Sequence, residues 1–216
     1  MQEAGGGGLE LARLRAQLRP QGILIAAWRI KPGNEAAAPQ SLADAPLERR
    51  RASGAARLAA RQLLGEIGAD ARAELPRSAS GAPQWPANIV GSLAHDELFA
   101  IAAAAWRGGA LGLQGIGVDI EPAEALPADL YDYVLSGSER SDCAGDPIKA
   151  RLIFACKEAC YKAIYPLDGA RLDYHDIAID LAAQTARLRD GRSLRLWLKA
   201  DERLIAVAAI FARGSD

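Results

Sequence analysis

The chain is short of the residues that most often signal special chemistry. Its 216 residues include three cysteines, two histidines and 6% aromatics, and the formal net charge is −1. Cys143, Cys156 and Cys160 make an odd count with no regular framework, which argues against a disulfide-stapled secreted domain. Cys156 and Cys160 stand four apart in a helix-forming stretch. Only His95 and His175 are available to complete a metal site with them, so the cysteines read as core residues and not as zinc ligands. No run approaches the ~20 apolar residues of a membrane span. The first residues lack the basic-then-apolar pattern of a signal peptide, and Gly5 to Gly8 read as a flexible tract. A near-zero net charge, without aromatics interleaved among the basic residues, argues against a nucleic-acid partner. No G-x-S-x-G, Walker lysine motif or H-E-x-x-H occurs, which weakens serine hydrolase, P-loop hydrolase and zinc protease readings. A soluble cytoplasmic protein without a membrane partner is expected.

What is present is an ordinary globular composition, half apolar and a quarter charged, with charge concentrated locally. Arg49, Arg50 and Arg51 run together, with Arg57 and Arg61 following at helical spacing; by itself such a run reads as a solvated face. The periodicity predicts a short amphipathic helix over 9–19, stopped by Pro20, and a strand over 22–30. A proline-rich loop over 31–46 precedes a helix over 47–64, closed by Gly65. Residues 76–91 read as turns, with Trp85 as an anchor against the core. Strands are expected over 98–106 and 115–121, and a short helix around 129–135. The strongest helix runs over 148–165 and is expected to end at Pro166. Short strands follow at 177–181, 186–189, 194–199 and 204–211. Segregated helices and strands indicate an α+β fold. Each half offers one long helix and several strands, which suggests an N-terminal lobe over 1–108 and a C-terminal lobe over 109–216, acting as one functional unit.

Three short stretches carry chemistry. In Gly117-Val118-Asp119-Ile120-Glu121-Pro122, positions i and i+2 of a strand share a face, so Asp119 and Glu121 sit side by side. Two adjacent carboxylates repel; a hard divalent cation such as Mg²⁺ is one reason to bring them together, and a solvent-facing strand end is the bland alternative. In Phe154-Ala155-Cys156-Lys157-Glu158-Ala159-Cys160-Tyr161-Lys162, Glu158 and Lys162 lie on one helical face, where an ordinary i,i+4 ion pair is also sufficient. In Gly91-Ser92-Leu93-Ala94-His95, a small turn followed by Ser and His offers donors to a phosphate, unless His95 is simply a core residue.

In this order and spacing, the stretches resemble the 4′-phosphopantetheinyl transferases of the surfactin-synthetase-activating type. That family has a G-x-D-x-E strand, then a W/F-x-x-K-E-[AS]-x-x-K helix, with an S-[IL]-[ST]-H element upstream; Ala94 departs from the last. Arg57-Leu58-Ala59-Ala60-Arg61 and Gly81-Ala82-Pro83-Gln84-Trp85-Pro86 are similar to the enterobactin synthase component D branch. The resemblance covers about residues 45–166. It implies two similar lobes related by a pseudo-twofold axis, with coenzyme A in the cleft between them. It further implies Mg²⁺, or Mn²⁺ in its place, held by Asp119, Glu121 and Glu158. Glu158 is the implied general base, and Lys162 steadies the pyrophosphate. Arg49, Arg57, Arg77, Ser92 and His95 are implied as phosphate ligands, with Lys157 in a supporting role. The implied partner is an acidic acyl or peptidyl carrier protein in siderophore or other secondary metabolism, docked with help from Arg50 and Arg51, and the implied state is a monomer. A coenzyme A pyrophosphatase and a catalytically silent binding module are the competing readings.

Overall fold

A computed structural model describes residues 9–212, so the Gly5–Gly8 tract lies outside the described residues. The chain divides into two units, Met1–Trp106 and Arg107–Asp216. Each packs one long helix on an antiparallel sheet, which is the α+β arrangement. Among the described residues, no helix is long and apolar enough to cross a membrane.

The first unit orders its elements as α1 (Ala12–Leu18), β1 (Leu24–Arg29), α2 (Leu47–Glu66), β2 (Ile89–His95) and β3 (Phe99–Trp106). The sheet order is β1-β3-β2, with β3 bonded on both sides. The alanine run of β3 is buried from Phe99 to Ala105. Its small side chains let α2 lie close, and α2 answers with Ala59, Ala60, Leu63 and Leu64 in the same core. Strand β2 corrects the expectation of turns through Gly91: only the stretch before Ile89 turns, and Gly91 to His95 pair with Ala104 to Ala100 of β3. Trp85 packs into this core, as anticipated. Gly65 does not close α2, which runs one residue further, to Glu66.

The second unit comprises β4 (Leu113–Pro122), α3 (Tyr131–Val134), α4 (Gly137–Asp142), α5 (Pro147–Asp168), β5 (Ile177–Asp180), β6 (Thr185–Leu188), β7 (Ser193–Ala200) and β8 (Arg203–Phe211). Its sheet order is β4-β8-β7-β6-β5, all antiparallel. Helix α5 starts with Asp146 capping the Lys149 N–H and Pro147 in the first turn, where its missing N–H costs nothing. It does not stop at Pro166. A proline in the last turn removes only one ladder bond, and the helix ends at Gly169, whose φ of 70° suits a left-handed cap. Cys156 and Cys160 are fully buried core residues, as expected. Helix α4 was not anticipated from periodicity; it is fixed by a capping box between Ser136 and Glu139.

Gly117 explains how β4 and α5 meet. A Cβ at this position would stand 1.8 Å from the Ala159 carbonyl oxygen, so only glycine allows the helix this close. Alternation along the strand then turns Asp119 and Glu121 toward the same helix.

Candidate active site

Asp119 lies on β4 at 5% exposure, and its Oδ1 accepts a 2.6 Å hydrogen bond from Lys162 Nζ of α5. Its Oδ2 is buried with no hydrogen-bond partner. Burial pushes the Asp119 carboxyl up to about 6, against the pull of Lys162 and with further push from Glu121 and Glu158. Burial acts to lower the Lys162 ammonium, but Asp119, Glu158 and Glu121 together hold it above its ordinary value. One ammonium therefore feels all three carboxylates, which is how the spacing D-x-E and E-x-x-x-K resolves in space.

Glu121 is turned toward Arg151, whose Nη1 donates at 2.7 Å while Nη2 bonds the Ala125 carbonyl at 2.9 Å. Glu158 accepts a 2.5 Å hydrogen bond from the Tyr174 hydroxyl. Neither Arg151 nor Tyr174 was singled out from sequence. They come from 30 and 16 residues away from the carboxylates they touch, and no local spacing marks them. Among the described residues, no group of three or more His, Cys, Asp or Glu side chains is placed to hold a metal ion. The donor set nonetheless fits a hard cation at one point: the orphaned Oδ2 of Asp119 is a buried anionic oxygen, the ligand type Mg²⁺ takes.

Lys157 stands apart from this centre. Expected beside the phosphates, it is fully buried, and its Nζ donates to Glu139 at 2.6 Å, to the Val134 carbonyl at 2.8 Å and to the Tyr174 carbonyl at 3.0 Å. All three N–H groups are used, so none is left for a ligand. Glu139 was also missed, although Ser136-Gly137-Ser138-Glu139 is a legible capping box.

The first unit holds a second charged centre, a cavity of about 190 Å³ whose lining includes Arg49, Ser53, Arg57, Arg77 and His95 and no carboxylate. Arg57 reaches it from α2, held by Nε to the Leu75 carbonyl at 2.9 Å and by Nη1 to Ser53 Oγ at 2.6 Å. Burial, then repulsion from Arg77 and Arg61, pushes the Arg57 guanidinium down to about 10. Arg77 is oriented by a 3.1 Å bond from Nε to the Gly81 carbonyl. Four of the five expected phosphate ligands of this unit thus share one cavity. Ser92 does not join them: it is buried in β2 and absent from the lining. Of the docking candidates, Arg51 is engaged by Glu35 at 3.2 Å, which leaves Arg50 as the better-placed cation.

Two family models match the chain. One, described as the 4′-phosphopantetheinyl transferase N-terminal domain, covers residues 37–105; the other, the 4′-phosphopantetheinyl transferase superfamily, covers 115–208. The chain is 38% identical over 141 residues to 4′-phosphopantetheinyl transferase Svp of Streptomyces mobaraensis, covering 62% of the chain and 56% of that protein. It is 34% identical over 147 residues to 4′-phosphopantetheinyl transferase Npt of Nocardia iowensis, covering 67% and 62%. It is 35% identical over 107 residues to 4′-phosphopantetheinyl transferase PptT of Mycobacterium tuberculosis, covering 46% and 44%. The matched stretch thus spans roughly half of each relative's own length. The crystal structure of Thermotoga maritima holo-[acyl-carrier-protein] synthase overlaps 47% of the chain and 65% of its own, at TM-score 0.35 and 19% identity.

Proposed function

The chain belongs to the 4′-phosphopantetheinyl transferase superfamily, and on that premise we propose that it moves the phosphopantetheine arm of coenzyme A onto a serine of an apo carrier protein. The products are the holo carrier and 3′,5′-ADP, the reaction of a holo-[acyl-carrier-protein] synthase. The observation that carries this reading is the 2.6 Å bond from Lys162 Nζ to Asp119 Oδ1, with Glu121 two residues on along β4 and Glu158 one turn before Lys162 on α5.

In the proposed reaction the serine oxygen attacks the phosphorus that bears the pantetheine arm. The P–O bond to the 3′,5′-ADP group breaks. Glu158 takes the serine proton, directly or through water. Lys162 steadies the pyrophosphate and neutralises the charge that develops on the departing oxygen. Asp119 through its orphaned Oδ2, with Glu121 and Glu158, would hold Mg²⁺, or Mn²⁺ in its place. When bound, that ion supplies a Lewis acid for the phosphoryl oxygens. The cavity lined by Arg49, Arg57, Arg77 and His95 would take the 3′-phosphate of coenzyme A, since clustered cations without a carboxylate among them suit a multivalent anion.

The finer reading is a surfactin-synthetase-activating type of enzyme near the component D branch, a cytoplasmic monomer. Two family models matched in succession along one chain support the type, and the Gly81 to Pro86 run supports the branch. Siderophore or other secondary metabolism, with an acidic carrier that meets Arg50, follows from that branch.

The test is mass spectrometry of apo carriers after incubation with the protein, coenzyme A and Mg²⁺. The expected result is a gain equal to the phosphopantetheine arm, abolished by chelator and reduced ~10²–10⁴-fold in rate by Glu158→Ala, the usual span for a general base. Release of 3′,5′-ADP without a carrier would point to a pyrophosphatase. Tight coenzyme A binding with neither reaction would point to a silent binding module.

A further inference from the structure

Three groups near the site have no task in the reaction above: Tyr174, Lys157 and Glu139. They are connected. The Tyr174 ring is packed edge-on by Tyr133 at 5.2 Å and tilted against Phe154 at 5.7 Å. Its carbonyl accepts from Lys157 Nζ at 3.0 Å, and Lys157 precedes Glu158 on α5. Lys157 is paired with Glu139 at side-chain exposures of 0% and 4%. The other Glu139 oxygen accepts the Ile179 N–H at 2.9 Å. One buried ion pair therefore pins the stretch 174–179 at both ends. The ring can do little but present its hydroxyl to Glu158 Oε1 at 2.5 Å. A phenolic hydroxyl keeps its proton at neutral pH, so Tyr174 is the donor and Glu158 the acceptor.

We infer that Tyr174 is a positioning residue for Glu158, anchored from behind by the Lys157–Glu139 pair. The inference rests on the reading of Glu158 as the base. A glutamate half-exposed on a helix has several rotamers within reach, and proton transfer requires one. A hydroxyl on a clamped ring selects that rotamer without itself touching substrate. The pair explains why two adjacent residues of α5, Lys157 and Glu158, have opposite surroundings: one is buried to build the support, the other is left accessible to use it.

Tyr174→Phe keeps the ring and its aromatic packing and removes only the donor. The expected effect is a fall in kcat of between about 10- and 100-fold, the range for a slightly misplaced reacting group, with the KM for coenzyme A unchanged. A second measurement is independent of catalysis: unfolding midpoints of the wild type, Tyr174→Phe, Glu158→Ala and the double variant, all without metal. The double variant is expected to melt no lower than the worse single variant, because both remove the same contact. Additive midpoints would overturn the contact. An unchanged kcat, or a rise in KM that accounts for the loss, would overturn the positioning role. If the wild type transfers nothing to any carrier, the proposed function fails, and the midpoints still decide whether Tyr174 holds Glu158.

Discussion

Both units bury a basic side chain on their long helix, and they satisfy it in opposite ways. In the first unit, Arg57 is 5% exposed and bonded to neutral oxygens, the Leu75 carbonyl and Ser53, with Arg77 and Arg61 close enough to repel it. In the second, Lys157 is bonded to the Glu139 carboxylate and Lys162 to the Asp119 carboxylate. Positive charge in the first unit is gathered around a cavity whose lining includes no carboxylate. In the second, Lys157 and Lys162 are each matched by a carboxylate, while Asp119 Oδ2 and Arg151 Nε are buried without a hydrogen-bond partner. The first unit thus gathers cations around a cavity, and the second pairs its cations with carboxylates.

The largest expected effect tests that contrast directly. Lys157→Ala leaves the Glu139 carboxylate buried and unpaired, which typically costs about 3–5 kcal/mol. Arg57→Ala leaves only neutral carbonyl and hydroxyl oxygens behind, at about 1–3 kcal/mol. Denaturant unfolding of the two variants should give this order. An equal loss would mean that the two cations are held alike, and the contrast between the units would collapse.

Next in size is a dependence on pH that centres on Asp119 of the second unit. The Asp119 carboxyl titrates near 6 in the folded chain against 3.8 as its ordinary value. The folded state thus binds the proton more tightly than the unfolded one. Its contribution to stability is complete below about pH 4, is lost as pH rises to about 6, and stays lost above that. The whole contribution amounts to roughly 2–3 kcal/mol. Asp119→Asn should remove this slope from the metal-free protein, seen as the difference between the two stability profiles from pH 4 to 7. Glu35 and Asp168, which are held below their ordinary values, contribute equally to both profiles and cancel. Parallel profiles would show that Asp119 is not perturbed by burial.

Much of the candidate site was legible because it depends on short-range geometry. Alternation put Asp119 beside Glu121, and the helical period put Glu158 beside Lys162. The glycine before them was part of a motif, though its reason, the Ala159 carbonyl, is visible only in three dimensions. What escaped were partners fixed by distant chain. Tyr174, Arg151 and Glu139 are tied in through contacts of 16 to 30 residues' separation. Lys157 and Lys162 are the same residue type five apart, roughly 140° around the helix, and only the packing of α3 and α4 tells which is buried. Strand β2 was hidden by Pro86 and Gly91, strong turn signals that flank a β-branched pair, Ile89-Val90. In each case the deciding contact was tertiary, not local.

The smallest expected effect lies at the edge of the first unit. Arg50 is half-buried at the start of α2, one residue from cavity-lining Arg49, and its neighbour Arg51 is occupied by Glu35. A cation in that position acts on an incoming acidic protein by steering, which changes encounter rates more than bound affinity. Arg50→Glu should therefore raise the carrier KM a few-fold at low salt, a change of about 1 kcal/mol or less for a charge in contact with solvent, and leave the KM for coenzyme A as it was. The difference should shrink as ionic strength rises and the Debye length falls below ~10 Å. A matching rise in the coenzyme A KM would instead extend the anion cavity outward to Arg50, and the first unit would then be charged for the small substrate alone, with the carrier left to dock by contacts that salt does not weaken.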